Sequence, residues 1–84
     1  MKSYVFKVVV VADKFEDGRA AWHASCPALK GCHTWGHTYE EALANVREAV
    51  ELYVQDLREA GEPVPVDAAE GTLELPAPAV AVNV

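Results

Sequence analysis

The stretch that most constrains this chain is its beginning, "SYVFKVVVVAD" over residues 3–13. It is rich in β-branched and aromatic residues, has no Pro or Gly, and ends in the turn-forming "DKFEDG", which predicts a strand. Successive side chains of a strand point to opposite faces. Tyr4, Phe6, Val8 and Val10 therefore share one face, and Val5, Lys7, Val9 and Val11 share the other. Apart from Lys7 both faces are apolar, the signature of a strand covered on two sides. At 84 residues the chain makes one domain, 1–84, and a domain this small buries only about 60–65% of the surface its unfolded form exposes. Whatever covers the second face has to be found with little material.

The remaining elements follow from punctuation. Asp17-Gly18 supplies the positive-φ position of a hairpin loop, and "RAAWHASC" alternates again. Ala20, Trp22, Ala24 and Cys26 fall on one side, Arg19, Ala21, His23 and Ser25 on the other. Pro27 cannot donate to a ladder and ends this strand. "PALKG" is a loop, Gly31 reverses the chain, and "CHTWG" reads as a short third strand closed by Gly36. "TYEE" then starts a helix, with Thr38 as the cap and Glu41 reaching back to it. Leu43, Val46, Val50, Tyr53 and Leu57 recur at helical spacing and predict one stripe packed on the sheet. Glu40, Arg47, Glu48, Glu51, Gln55, Arg58 and Glu59 lie opposite. Gly61 suits a left-handed helix cap, and Pro63 and Pro65 forbid continuation. Residues 1–62 thus hold the core strands and helix, and 63–84 a Pro-containing connector and an edge strand. In the latter, "TLEL" is a short extended piece and "AVAVNV" puts Val80, Val82 and Val84 on one side.

The fold class expected is α+β: a three-stranded antiparallel sheet, one helix and a final edge strand, in the order β-β-β-α-β. A right-handed crossover would set the last strand parallel to the first, on its free edge.

The densest collection of reactive side chains is "CPALKGCHTWGHTYEE", residues 26–41. Cys26, Cys32, His33 and His37 are zinc-type donors, but structural zinc sites present tight C-x₂₋₄-C or H-x₃₋₅-H pairs. Five residues separate Cys26 from Cys32, and His33, adjacent on a strand to Cys32, points to the opposite face. A Cys26–Cys32 disulfide is conceivable in geometry but does not persist in a reducing cytosol. A cysteine nucleophile needs a base and a lowered pKa. Cys32 has His37 nearby, yet nothing supplies an oxyanion hole or an orienting third residue. Trp22 and Trp35 read as core or interface filling, and Gly31 and Gly36 do not make a phosphate loop. No metal, cofactor or catalytic set is expected, and the segment reads as a structural corner.

Charge narrows the partners. The net charge is −6, and it is uneven: residues 1–38 carry five basic and three acidic residues, and residues 39–84 two basic and ten acidic. Such a chain gains little from phosphate contacts, which disfavours nucleic acid and suits a basic protein. No cleavage signal and no apolar run of membrane length is evident, so a cytoplasmic protein is expected.

With these residues in place, the chain from its first strand to the end of its helix resembles the HicB-like antitoxin family. The resemblance rests on D-G before the second strand, C-P-x-L-x-G-C, G-x-T-x-E-E-A at the helix start, N-x-x-E-A in mid-helix and G-x-P-x-P at the exit. It implies a partial RNase H-like fold and the role of binding and inhibiting a small basic HicA-type toxin that cleaves mRNA. Longer members continue into a ribbon-helix-helix or helix-turn-helix domain that binds the operon promoter. Residues up to Val84 show no second amphipathic helix or basic cluster, so a short stand-alone member without direct DNA binding is expected. A nuclease is not: no Asp or Glu lies between Ser3 and Ala12, and "AVAVNV" offers only Asn83, so two metals have no carboxylate frame.

Two functional classes stand: the toxin-inhibiting module, and an orphan oligomeric binding or scaffold protein without a toxin. An RNA-binding domain is a distant third, disfavoured by the acidic second half. Homo-oligomerisation, as dimer or tetramer, is expected because one helix cannot cover both faces of the first strand. The candidate partner or oligomer interface comprises Val5, Val9, Val11 and His23 on the sheet, Glu48, Glu51 and Glu59 on the helix, and Val80, Val82 and Val84 in the tail.

Overall fold

A computed structural model of the chain describes residues 3–65 and 78–83. The elements are β1 (Ser3–Lys7), β2 (Val9–Lys14), β3 (Ala20–Ser25), β4 (His33–Gly36), α1 (Tyr39–Glu59) and β5 (Ala79–Asn83). β2, β3 and β4 form a three-stranded antiparallel sheet in that order, and β5 pairs with β1. This is the expected α+β arrangement.

The opening strand is one extended run used twice. It breaks at Val8 into β1 and β2 because its two halves have different neighbours. The Val8 N–H donates to the Pro78 carbonyl at 2.9 Å, continuing the β1–β5 ladder, whereas the Phe15 N–H donates to Arg19 at 2.9 Å, continuing the β2–β3 ladder. Alternate residues of a strand aim their backbone groups at opposite edges. Even-numbered residues here face β5 and odd-numbered residues face β3. β5 and β3 therefore flank opposite edges of the same run, staggered along it.

The last strand corrects the expected orientation. It lies on the free edge of β1 but runs antiparallel, with Tyr4 opposite Val82 and Phe6 opposite Val80. The right-handed crossover rule governs strands joined directly through a helix. β5 is separated from α1 by residues 60–78 rather than joined to it directly, and the observed antiparallel pairing replaces the parallel one expected. The "TLEL" segment lies outside the described residues.

α1 covers one face of the sheet. Its buried line is Ala42, Val46, Val50 and Val54, with Leu43, Ala49, Tyr53 and Leu57 packed half-buried on its flanks. The stripe is thus centred on an i, i+4 row that includes the unpredicted Val54, and Tyr53 and Leu57 form its margin. Beneath it lie Phe6, Val8, Ala24, Cys26, Leu29, Cys32, Val80 and Val82. Each fully buried Val, Leu or Phe contributes about 1.5–3 kcal/mol. Leu29 belongs to this core although it sits in the loop. The Cys26 N–H donates to the Cys32 carbonyl at 3.0 Å, and the Leu29 and Cys32 N–H groups donate to Cys26 and Leu29 in turn, so the loop folds its leucine inward.

The helix ends are both closed. The Thr38 hydroxyl accepts from the Glu41 N–H at 3.0 Å. The Glu41 carboxylate reaches one residue further back than expected, accepting from the His37 N–H at 3.0 Å. At the other end Gly61, at φ 73°, lets its own N–H reach Arg58 and that of Glu62 reach Leu57, a Schellman closure. Gly36 is fixed by proximity: a Cβ there would meet the Ala42 backbone nitrogen and lie 2.8 Å from the Ala42 Cα. Only glycine lets the helix start this close to β4.

Candidate interaction surfaces

The two faces of the sheet have opposite fates. On the inner face Phe6 and Val8 are 1% and 0% exposed; on the outer face Val5, Val9 and Val11 are 55%, 44% and 46% exposed. The strand that alternation marks as covered on both sides is covered on one among the described residues. The register of β2 on β3 places Val11 opposite His23 and Val9 opposite Ser25. β4 extends the same face, with Trp35 opposite His23 and His33 opposite Ser25. His23, His33 and Trp35 form a triangle of rings, with centroids 4.9 Å apart for His23–Trp35, 5.1 Å for His33–Trp35 and 5.5 Å for His23–His33. Trp35 is 44% exposed. The outer face therefore carries an aliphatic strip along β1–β2 and an aromatic patch over β3–β4. The sequence reading placed His23 here and left out His33 and Trp35; the alternation from His23 across a Gly36-terminated strand was the available signal.

The second surface is the solvent side of α1. Glu48 and Glu59 are exposed and Glu51 is half-buried. The helix carries six acidic residues against Arg47 and Arg58. Surface potential of one sign over a continuous face attracts a partner of the other sign out to about a Debye length.

The third group of candidates is corrected. Val80 and Val82 are 5% and 1% exposed and belong to the core under α1, opposite Phe6 and Tyr4. A strand with alternating valines beside a helix-covered strand turns them inward, so they are taken up by the fold. Val84 lies outside the described residues.

The corner at residues 26–41 behaves as structure. Cys26 and Cys32 are buried and are not joined as a disulfide, and burial raises the Cys32 pKa, the reverse of what a thiolate nucleophile requires. His37 points to Glu41, its Nδ1 3.0 Å from the carboxylate, and stacks near Phe15 with centroids 5.0 Å apart. Among the described residues no three His, Cys, Asp or Glu side chains converge as a metal would need. A shallow cleft of about 280 Å³ at the helix C-terminus is lined by Tyr53, Asp56, Leu57, Ala60 and Glu62. No described helix is long and apolar enough to cross a membrane.

Fold and surfaces together define a small α+β module with an open sheet face and an acidic helix face. A profile of the HicB-like antitoxin of bacterial toxin–antitoxin systems matches residues 7–76. The chain belongs to the HicB-like antitoxin family. It is 46% identical over 61 residues to a UPF0150 protein of Synechocystis sp., covering 73% of this chain and 75% of that one. It is 42% identical over 64 residues to a UPF0150 protein of Thermoplasma acidophilum, covering 76% and 90%. In structure it is similar to the crystal structure of the N-terminal domain of Burkholderia pseudomallei antitoxin HicB, with a TM-score of 0.66, 29% identity, and 95% and 96% of the two chains covered. Against the crystal structure of the Burkholderia pseudomallei antitoxin HicB the TM-score is 0.58 at 27% identity, and this chain spans 64% of that one. Family and fold point to a non-enzymatic role.

Proposed function

We propose that this chain is an antitoxin-type binding module that inhibits a small basic HicA-type, mRNA-cleaving toxin by binding it. The observation that carries the reading is the likeness, along 95% of the chain, to the N-terminal domain of a solved HicB antitoxin. Two features of this molecule support it. The α1 surface bearing Glu48, Glu51 and Glu59 has the charge to steer a basic protein. Among the described strand residues Asp13 is the single carboxylate, too few for a two-metal frame, which fits a role exerted by contact.

The outer sheet face has a different character. Val5, Val9, Val11 and His23 with His33 and Trp35 make a largely apolar, partly aromatic surface that Lys7 interrupts, which suits association of copies of the chain into a dimer or tetramer. In this reading the chain is cytoplasmic, works as a single domain over residues 1–84, and needs no cofactor.

The test is co-expression with the product of a short basic open reading frame beside the gene. Rescue of growth and co-purification of the two proteins are expected. A neighbouring product that stays toxic and does not co-purify rejects the antitoxin role and leaves an orphan binding protein.

A further inference from the structure

Among the described residues, side chains of α1 reach over two open strand edges, and a third, on β2, has no backbone partner. Odd-numbered residues of β4 aim their backbone away from β3, because the Cys26–Cys32 bond that continues the β3–β4 ladder joins even-numbered residues. On that edge the Trp35 carbonyl accepts from Asn45 Nδ2 at 2.8 Å. On the outer edge of β5 the Ala81 carbonyl accepts from Arg47 Nε at 3.5 Å. α1 thus reaches over both flanks with polar side chains.

The third edge is that of β2 beyond the point where β5 begins. Even-numbered residues face it, and at Val8 it is occupied by Pro78. At Lys14 the N–H is taken by the Asp13 carboxylate at 2.8 Å. Between them the N–H and C=O groups of Val10 and Ala12 have no partner among the described residues. The stretch contains no Pro or Gly and no covering helix. An edge of this kind is a template for another strand.

We propose that a second copy of this chain pairs with this edge, β2 against β2 antiparallel across a two-fold axis at Ala12, fusing two three-stranded sheets into one. The inference rests on the reading that the chain self-associates, and it names where. The register is selected by three constraints. Backbone groups meet only if even-numbered residues oppose even-numbered ones. An axis at Val11 would put Lys14 of the second copy opposite Val8, where Pro78 already sits. An axis at Asp13 would set two carboxylates against each other, which is destabilising. An axis at Ala12 places Ala12 opposite Ala12, Val10 opposite Lys14 and Val11 opposite Asp13. With the Lys14 N–H held by Asp13, it forms roughly four new backbone hydrogen bonds and opposes no like charges. The two outer faces then become one continuous surface, with Val9 and Val11 of both copies near its centre, available for a second pairing face to face.

Proline at position 12 separates this contact from the fold. The Ala12 N–H points away from β3, so Ala12→Pro removes no bond of the β2–β3 ladder. Light scattering with circular dichroism on the whole chain should show Ala12→Pro folded, at half the wild-type mass. A second variant, Ala12→Cys, should form a disulfide-linked dimer under mild oxidation at least ten-fold faster than Ala44→Cys on the exposed helix surface, since opposed residues of such a pair lie ~5.5 Å apart. A wild-type monomer at about 9 kDa would overturn both self-association and this contact. A folded Ala12→Pro of unchanged mass, or equal cross-linking of the two cysteine variants, would overturn this contact alone. Should Ala12→Pro fail to fold, the cross-linking decides.

Discussion

The two faces of the β1–β2 run are built from nearly the same residues and do opposite things. Phe6 and Val8 point under α1 and are lost to solvent; Val5, Val9 and Val11 point away and remain about half exposed. Composition alone does not distinguish a valine at position 8 from one at position 9. The difference is the helix, which the capping at Thr38 and the Gly36 approach bring down on one side only. Side chains on the inner face hold the chain together, and those on the outer face remain exposed.

The comparison breaks most visibly at Phe6. Phe6→Ala should cost about 3–5 kcal/mol, a large part of what a domain of this size has, whereas Val5→Ala should change stability by less than about 0.5 kcal/mol. Urea denaturation at one fixed protein concentration checks both; equal losses would show that the outer face is as structural as the inner.

Gly36→Ala comes next. Its Cβ meets helix backbone, which cannot swing aside, so about 1–3 kcal/mol should be lost through displacement of α1 from β4. The same change at Gly31, where a Cβ would meet nothing within 4 Å, strains only the backbone at φ 80° and should cost about 1 kcal/mol. Thermal unfolding of the pair separates close approach from conformational demand.

A smaller effect tests the hinge that seats the helix. The hydrogen bonds from His37 hold the Glu41 carboxyl below the ordinary glutamate value of 4.5. Its folded pKa is depressed, so the stabilisation is present above the unfolded value and is lost as pH falls through the folded one. The stability gap between wild type and Glu41→Gln should therefore be open near neutral pH and shrink on acidification to about pH 3. A gap that is constant with pH would mean the carboxylate is not the group at work.

The smallest expected effect on folding belongs to Val9→Lys with Val11→Lys. Both positions lie on the exposed face, so unfolding of the isolated chain should shift by no more than about 0.5 kcal/mol per site, while self-association through that face should be lost. Sedimentation analysis beside a urea titration reads the two quantities separately.

Much of this was legible in the chain itself. Period-two alternation assigned Phe6 and Val8 to one face and Val9 and Val11 to the other, and the Thr38 and Gly61 ends of the helix followed from capping chemistry. What was not legible has physical causes. Alternation says which residues share a face and not which face is covered, so a two-sided strand was expected where one side is open. Direction on a sheet edge is not encoded in residue types, and β5 pairs antiparallel with β1 where a parallel strand is expected. Val80 and Val82 were read as surface because their strand seemed peripheral, yet an edge strand beside a covered one has an inner face too. Leu29 was missed because a three-bond loop that turns its own leucine inward leaves no periodic trace. Of the candidate surfaces, the helix carboxylates were plain from charge, and the His33–Trp35 patch needed the β3–β4 register to be seen.

The division between a structural inner face and contact surfaces outside it is worth having only if a partner binds. The direct measurement is isothermal titration of the purified basic product of the neighbouring gene into the whole chain, at low and at high salt, with Glu48→Lys/Glu51→Lys alongside. The account predicts saturable binding that weakens as salt rises and falls at least ten-fold in the charge-reversed variant, with the variant's fold intact. Absence of binding heat and of a complex at any salt concentration, from a folded chain and a folded partner, would contradict it.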